Sequence, residues 1–253
     1  MSASFFALNY DRFNEADYGA YLDFFEQAKA SFADIEVKEL LDLGCGTGEL
    51  AFRFDEWGYD VTAIDISCDM LSVAREKAVQ NGRDNILFLE QDMRSFELYG
   101  TVDAAVCAYD CFNYLSSLKD LESCFALLNN YIRRGGLLVF DMNSPYRYKE
   151  VYADNCYVFE DGEDMLVWQN SYNQKRGTCD FFLSFFEESG GFYKRSDELH
   201  RQKCFNPSGV QNLLKKCGFE LCGVYGSTSG EAFCETSEKF YVVAKNTGGK
   251  AQG

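Results

Sequence analysis

The sequence predicts an α/β fold: a parallel sheet with helices on both faces, interrupted by a small antiparallel β insertion. Two features of the text predict it. From residue 37 to residue 143, short apolar runs alternate with amphipathic helical stretches, the pattern of strands covered on both faces. After Pro145 this gives way to short aromatic and β-branched runs separated by DGED, NQKRG and ESGG, all turn chemistry. A chain of 253 residues, 47% hydrophobic and 16% aromatic, is long enough for one well-cored domain with an insertion.

Each element follows from local signals. The first 35 or so residues read as helical, with Tyr18, Tyr21, Leu22, Phe24, Phe25 and Ala28 at near-helical spacings. A strand at Leu40–Leu43 leads into the helix GELAFRFDEWG, stopped by Gly58; a second strand at Val61–Ile64 precedes a helix closed by Gly82. NILFLEQDM and VDAAVCAYD give strands three and four. SLKDLESCFALLNNYIRRGG reads as an amphipathic helix with Ser117 as a cap, and GGLLVFDMN as strand five. Residues 146–204 read as three or four antiparallel strands. NPSGVQNLLKKCGF (helix), ELCGVYG and KFYVVAK (strands) resume the alternation. The expected organisation is a main domain of residues 1–145 and 205–246, an inserted subdomain of residues 146–204, and a frayed tail of residues 247–253.

Composition narrows the function. A formal net charge of -16 repels polyphosphate chains, so nucleic acid is not an expected partner, while a cationic cofactor or an amine is favoured. No window of 18 apolar residues occurs and the N-terminus has no export signal, so neither membrane insertion nor secretion is expected. The 11 cysteines include no CxxC pair and read as reduced cytoplasmic thiols, several of them small core hydrophobes. One histidine leaves no His-rich metal site, and no metal is expected.

The informative stretch is LLDLGCGTGEL, residues 40–50. A buried strand runs into Gly44, Gly46 and Gly48 and directly into a helix. The glycines admit unusual φ and a ligand close to the backbone, and the helix start offers free N–H groups. The spacing is G-x-G-x-G rather than the dinucleotide G-x-G-x-x-G. Asp42 before the turn is ill placed beside a pyrophosphate but suits an ammonium and a sulfonium. Asp65 ends the second strand, where an acidic side chain meets ribose hydroxyls in such folds. Asp92 and Met93 end the third strand, and Tyr109 and Asp110 the fourth, so four successive strand ends present polar groups to one crevice.

DLGCGTG, AID, QDM and YDCFNYL in this order resemble the class I S-adenosylmethionine-dependent methyltransferases, over residues 40–143 and again at the C-terminal strands. The resemblance implies a Rossmann-like seven-stranded sheet with its last strand antiparallel. It implies S-adenosylmethionine as cofactor, with S-adenosylhomocysteine as product. The cofactor set would be Tyr18, Asp42, Gly44, Cys45, Gly46, Gly48, Asp65, Ile66, Asp92, Met93 and Ala108. The opening NYDRFNEADYGAY is similar to small-molecule N-methyltransferases, in which an N-terminal helix covers the cofactor and an inserted sheet covers the acceptor. Tyr10 or Tyr18 would then touch the methionine carboxylate, or else pack the helix.

Methyl transfer needs positioning more than dedicated chemistry. Tyr109, Asp110 and Asn113, with Tyr114 beside them, are the candidates for the acceptor side, where an amine or hydroxyl would receive the methyl group. His200 is a possible base from the insertion or a structural residue. Trp168, Tyr172, Phe181, Phe182, Phe185 and Phe186 either wall the pocket or pack the small sheet. A non-catalytic cofactor-binding module and an NAD-type oxidoreductase are the competing classes. Asn143-Ser-Pro-Tyr146 resembles the N-P-P-Y of nucleic-acid methyltransferases but follows the wrong strand. The protein is expected to be a monomer or homodimer.

Overall fold

The computed structural model describes residues 4–14 and 16–248; Glu15 and residues 249–253 of the expected tail lie outside the described residues. Seven strands form the main sheet: β1 (Glu39–Leu43), β2 (Asp60–Asp65), β3 (Leu87–Glu90), β4 (Val102–Cys107), β5 (Ile132–Asn143), β10 (Phe219–Tyr225) and β11 (Lys239–Asn246). Their order is β10-β11-β5-β4-β1-β2-β3, with β11 antiparallel to both neighbours. Strand order reverses between β1 and β4, and the carboxyl edge there is where such sheets bind ligands.

Alternation along each strand divides the core. Leu41 and Leu43 of β1, and Ala105 and Cys107 of β4, pack toward α5 (Leu118–Tyr131) and α6 (Pro207–Lys216). Leu40, Ala104 and Val106 face α2 (Tyr18–Phe32), α3 (Glu49–Glu56) and α4 (Cys68–Gln80). Phe25 and Phe54, both fully buried, meet edge-on at 5.1 Å on that second face; each contributes about 1.5–3 kcal/mol by burial. Helix ends follow the sequence signals: Ser117 accepts from Asp120 N–H at 3.1 Å, and Asn206 caps a helix that has Pro207 in its first turn.

Two expected boundaries move. The long helix stops at Tyr131, because Ile132 is drawn into the core and pairs with Val102, so IRRGG belongs to β5. The opening helix is split into α1 (Phe5–Asn9), a 3₁₀ turn at Tyr10–Arg12, and α2. Between them Asn14 accepts from Ala16 N–H, a local bond that competes with helix, and Asp17 starts α2 afresh as its N-cap, accepting from Ala20 N–H.

The insertion is a four-stranded antiparallel sheet, β6 (Cys156–Asp161), β7 (Asp164–Asn173), β8 (Thr178–Ser189) and β9 (Phe192–Lys203), preceded by a π-helical turn at Arg147–Tyr152. Its period-2 pattern sorts the aromatics. Phe181 and Phe185 are buried on the inner face with Trp168 and Tyr172, while Phe182 is exposed and Phe186 lies under the Arg195 guanidinium.

The N-terminal segment straps the two sheets together through adjacent residues. Asp11 accepts from Thr47 Oγ1 at 2.7 Å and from Lys77 at 2.5 Å on the main domain. Arg12 binds Asp161 at 2.7 Å and Asp164 at 2.9 Å on the β6–β7 hairpin. These pairs are partly exposed, so they contribute little to global stability. The double variant Asp11→Ala/Arg12→Ala is expected to unfold within about 1 kcal/mol of the parent. Hydrogen exchange should nonetheless accelerate in residues 4–14 while the main-sheet strands keep their protection.

Candidate active site

At the carboxyl edge of β1 and β4 lies a cleft lined by Tyr10, Tyr18, Asp42, Gly44, Cys45, Gly46, Thr47, Glu49, Leu50, Ala108, Tyr109 and Cys111. The glycine turn makes its floor. Gly44 N–H and Cys45 N–H both donate to Ile64 O, at 2.7 and 3.0 Å, while Gly46 N–H donates to Asp65 Oδ2 at 2.8 Å. Gly44 has φ +81°, and a Cβ there would stand 2.8 Å from Cys111 Sγ. Gly46 has φ +55°, and a Cβ there would meet nothing within 4 Å. Glycine is thus required at 44 by packing and at 46 by conformation, which leaves open space above the turn.

Charge in the cleft is of one sign. Asp42, 2% exposed, points to the same side of β1 as Leu40, and its Oδ2 has no hydrogen-bond partner. Burial, reinforced by the nearby Asp65 charge, pushes its carboxyl up to about 7. Glu49 is held by Lys77 at 2.8 Å. Among the described residues that line the cleft none is basic. A buried carboxylate with an unpartnered oxygen in a cleft without basic lining is a hydrogen-bond acceptor for an ammonium, and the open space over Gly46 admits a ligand against the backbone. These residues fit the amino-acid end of S-adenosylmethionine.

The turn after β4 is held in an unusual shape. Tyr109 and Asp110 both have positive φ, 55° and 56°, which costs non-glycine residues on the order of 1 kcal/mol each. The fully buried Asp141 of β5 imposes it, accepting from Tyr109 N–H at 2.6 Å and from Asp110 N–H at 3.1 Å. Lys239, at the start of β11, donates to Asp141 at 2.8 Å and to Asp110 at 2.9 Å. Burial alone would lower the Lys239 ammonium, but the two carboxylates outweigh it and hold it charged. Tyr109's ring lies 5.1 Å from Tyr18 and 5.5 Å from Tyr21, and its buried hydroxyl has no partner.

The expected site residues divide. Tyr18, Asp42, Gly44, Cys45, Gly46, Ala108 and Tyr109 line the cleft. Gly48 caps α3 at φ +85° against Phe52 and Ala74. Asp65 braces the turn, accepting from Gly46 and Ser67 N–H at 2.8 Å. Ile66 beside it is 64% exposed. Asp92 is paired with Arg94, which lowers its carboxyl, and Met93 packs on the core edge. Asn113 does not line the cleft: fully buried, it donates to Lys203 O at 2.8 Å and accepts from Asn143 N–H at 3.0 Å, a joint between the two sheets. Sequence reasoning missed Thr47, Glu49, Leu50 and Cys111 in the cleft. It also missed Asp141, Lys239 and Gln202, which come together only through the β5–β11 register, Tyr241 opposite Asp141, and the docking of β9.

A family model described as a methyltransferase domain matches residues 40–136. A protein of Geobacillus sp. (strain WCH70) that is named as a methyltransferase is 32% identical over 97% of this chain and 100% of its own length. The dTDP-3-amino-3,4,6-trideoxy-alpha-D-glucopyranose N,N-dimethyltransferase of Streptomyces venezuelae is 29% identical over 77% of this chain and 81% of its own. The crystal structure of an S-adenosylmethionine-dependent methyltransferase from Clostridium acetobutylicum ATCC 824 superposes with a TM-score of 0.86 at 27% identity, covering 95% of this chain and 97% of that one.

Two outcomes follow from the electrostatics. A folded-state carboxyl raised to about 7 from an unfolded value near 4 destabilises the fold above that range, by on the order of 4 kcal/mol, and costs nothing below pH 4, where both states are protonated. Asp42→Asn should therefore melt higher than the parent at pH 8, with the gap closing toward pH 4 in thermal scans. Lys239→Met strips the cation from two carboxylates, and urea unfolding at pH 7 should show a loss of about 3–5 kcal/mol.

Proposed function

The chain belongs to the S-adenosylmethionine-dependent methyltransferases, and we propose that it methylates the nitrogen of a small-molecule amine held between the two sheets. The observation that carries this reading is the docking of the inserted sheet on the acceptor side. Gln202 of β9 donates to Asp110 Oδ2 at 2.6 Å and accepts from Tyr148 Oη at 2.8 Å and Asn143 Nδ2 at 3.1 Å. The turn that ends β4 is thereby roofed by an aromatic sheet, an arrangement that supports a metabolite as acceptor rather than a polymer. The acidic net charge supports a cationic acceptor over a nucleic acid. The N,N-dimethyltransferase relative supports nitrogen as the atom methylated.

S-adenosylmethionine supplies a methyl group already activated on a sulfonium. The residues here bind, orient and exclude water. Asp42 receives the ammonium of the methionine part, over Gly44, Cys45 and Gly46. Asp65 serves the ribose hydroxyls while it braces the glycine turn, and the exposed Ile66, with Asp92 and Met93, borders the adenine. Ala108 and Tyr18 close the cleft. Tyr109 and Asp110 face the acceptor, and Asn113 positions them by joining β5 and β9. Residues 146–204 act as the acceptor cover, residues 1–145 and 205–246 as the cofactor domain. No helix among the described residues is long and apolar enough to cross a membrane. The buried thiols of Cys107, Cys124, Cys179 and Cys217, used as small core side chains, support a cytoplasmic protein.

Because a cationic ligand must draw the proton from Asp42, affinity for S-adenosylmethionine should rise between pH 6 and pH 8 and stay flat in Asp42→Asn, at least tenfold weaker at pH 8. Incubated with S-adenosylmethionine, the protein should release S-adenosylhomocysteine with simple amines or amino sugars such as glucosamine, and not with DNA, RNA or catechols. Turnover confined to hydroxyl acceptors would contradict the nitrogen assignment.

A further inference from the structure

The acceptor side holds a group that positioning alone does not use, the chain's single histidine. His200 lies on the inner face of β9, opposite Phe181. Its Nδ1 is 3.4 Å from Tyr114 Oη and its Nε2 is 3.3 Å from Glu198 Oε2. Phe6 of the N-terminal strap covers the ring at 4.6 Å, and Phe6 in turn meets Tyr10, a wall of the cofactor cleft, at 5.4 Å. Tyr114 follows Cys111, another wall of that cleft, by three residues and is half-exposed. A row of three polar groups thus runs from the turn after β4 to a carboxylate that is 30% exposed. The titratable groups that face His200 are Tyr114 from the turn after β4 and Glu198 from its own strand, while the strap and β8 present Phe6 and Phe181.

We propose that Tyr114, His200 and Glu198 form the proton exit for the amine acceptor. The proposal rests on the amine reading above. A protonated amine has no lone pair, and each methyl added to it releases one proton. In the relay the acceptor's ammonium gives a proton to Tyr114 Oη as the Tyr114 hydroxyl proton passes to His200 Nδ1. The N–H electron pair stays on the acceptor nitrogen as its lone pair, and the imidazolium stands against the Glu198 carboxylate, from which the proton reaches water. The distances are long for hydrogen bonds, as such contacts commonly are before substrate binds. The direction of transfer demands one tautomer: Nδ1 bare to accept from Tyr114, and Nε2–H donating to Glu198.

A single histidine lets that tautomer be read directly. In ¹⁵N NMR of the whole chain at pH 8, without any acceptor, the imidazole should be the Nε2–H form, and Tyr114→Phe should shift the Nδ1 resonance. With an amine that the protein turns over, His200→Gln should lower kcat/KM about 10²-fold, with S-adenosylmethionine affinity unchanged. Added imidazole should restore part of the activity of His200→Ala. An Nδ1–H tautomer in the parent protein, or full kcat/KM in His200→Gln, would overturn the relay. The tautomer is measured without acceptor, so it stands apart from the amine screen, whose failure would overturn the functional reading instead.

Discussion

Asp141 is a carboxylate with no access to water, placed where β5, β11 and the turn after β4 meet. It lies near the end of the buried strand β5, accepts two consecutive N–H groups from the turn after β4, and shares Lys239 of β11 with Asp110. Asp110 in turn accepts from Gln202 of the inserted sheet. The two bonds of Asp141 to consecutive N–H groups hold Tyr109 and Asp110 in the left-handed region, where L residues resist going. The cleft wall, the last strand of the main sheet and the docking of the small sheet all depend on that anion being paired and fully hydrogen-bonded, the condition under which a buried charge is tolerated.

Asp42 shows the opposite arrangement. It too is buried, but with no cation and with one oxygen unpartnered. A fold selected only for stability would place an apolar residue at the end of β1, as it does at Leu40, Leu41 and Leu43. The destabilisation is local, and in the proposed reading a cation entering the cleft would relieve it, so that binding energy and selectivity for a positively charged ligand would come from one side chain. Asp11 and Arg12 tie the strap to the main domain and to the β6–β7 hairpin by partly exposed pairs.

Much of this was legible from the text alone, and for physical reasons. Strand and helix order followed from apolar runs and glycine stops such as Gly58 and Gly82, because each element buries a face that its own sequence defines. The glycine turn, Asp42 and Asp65 were legible because the backbone there admits few alternatives. The boundary errors came where tertiary pairing overrode local pattern, as at Ile132, or where Asn14 took a backbone N–H and Asp17 capped a new helix. Asn113 was read for its strand end, but its amide is consumed by Lys203 and Asn143, far along the chain. Asp141, Lys239 and Gln202 carry no local signal; only the antiparallel register and the sheet docking bring them together.

The central claim is that the cleft over Gly44 and Gly46 binds the sulfur nucleotide through Asp42 and Asp65. Calorimetric titration of the folded chain with S-adenosylhomocysteine tests it most directly, with NAD as the control. The account predicts one site per chain, lost in Asp65→Ala and indifferent to NAD. No heat from a protein that is folded by circular dichroism, or displacement by NAD, would contradict it.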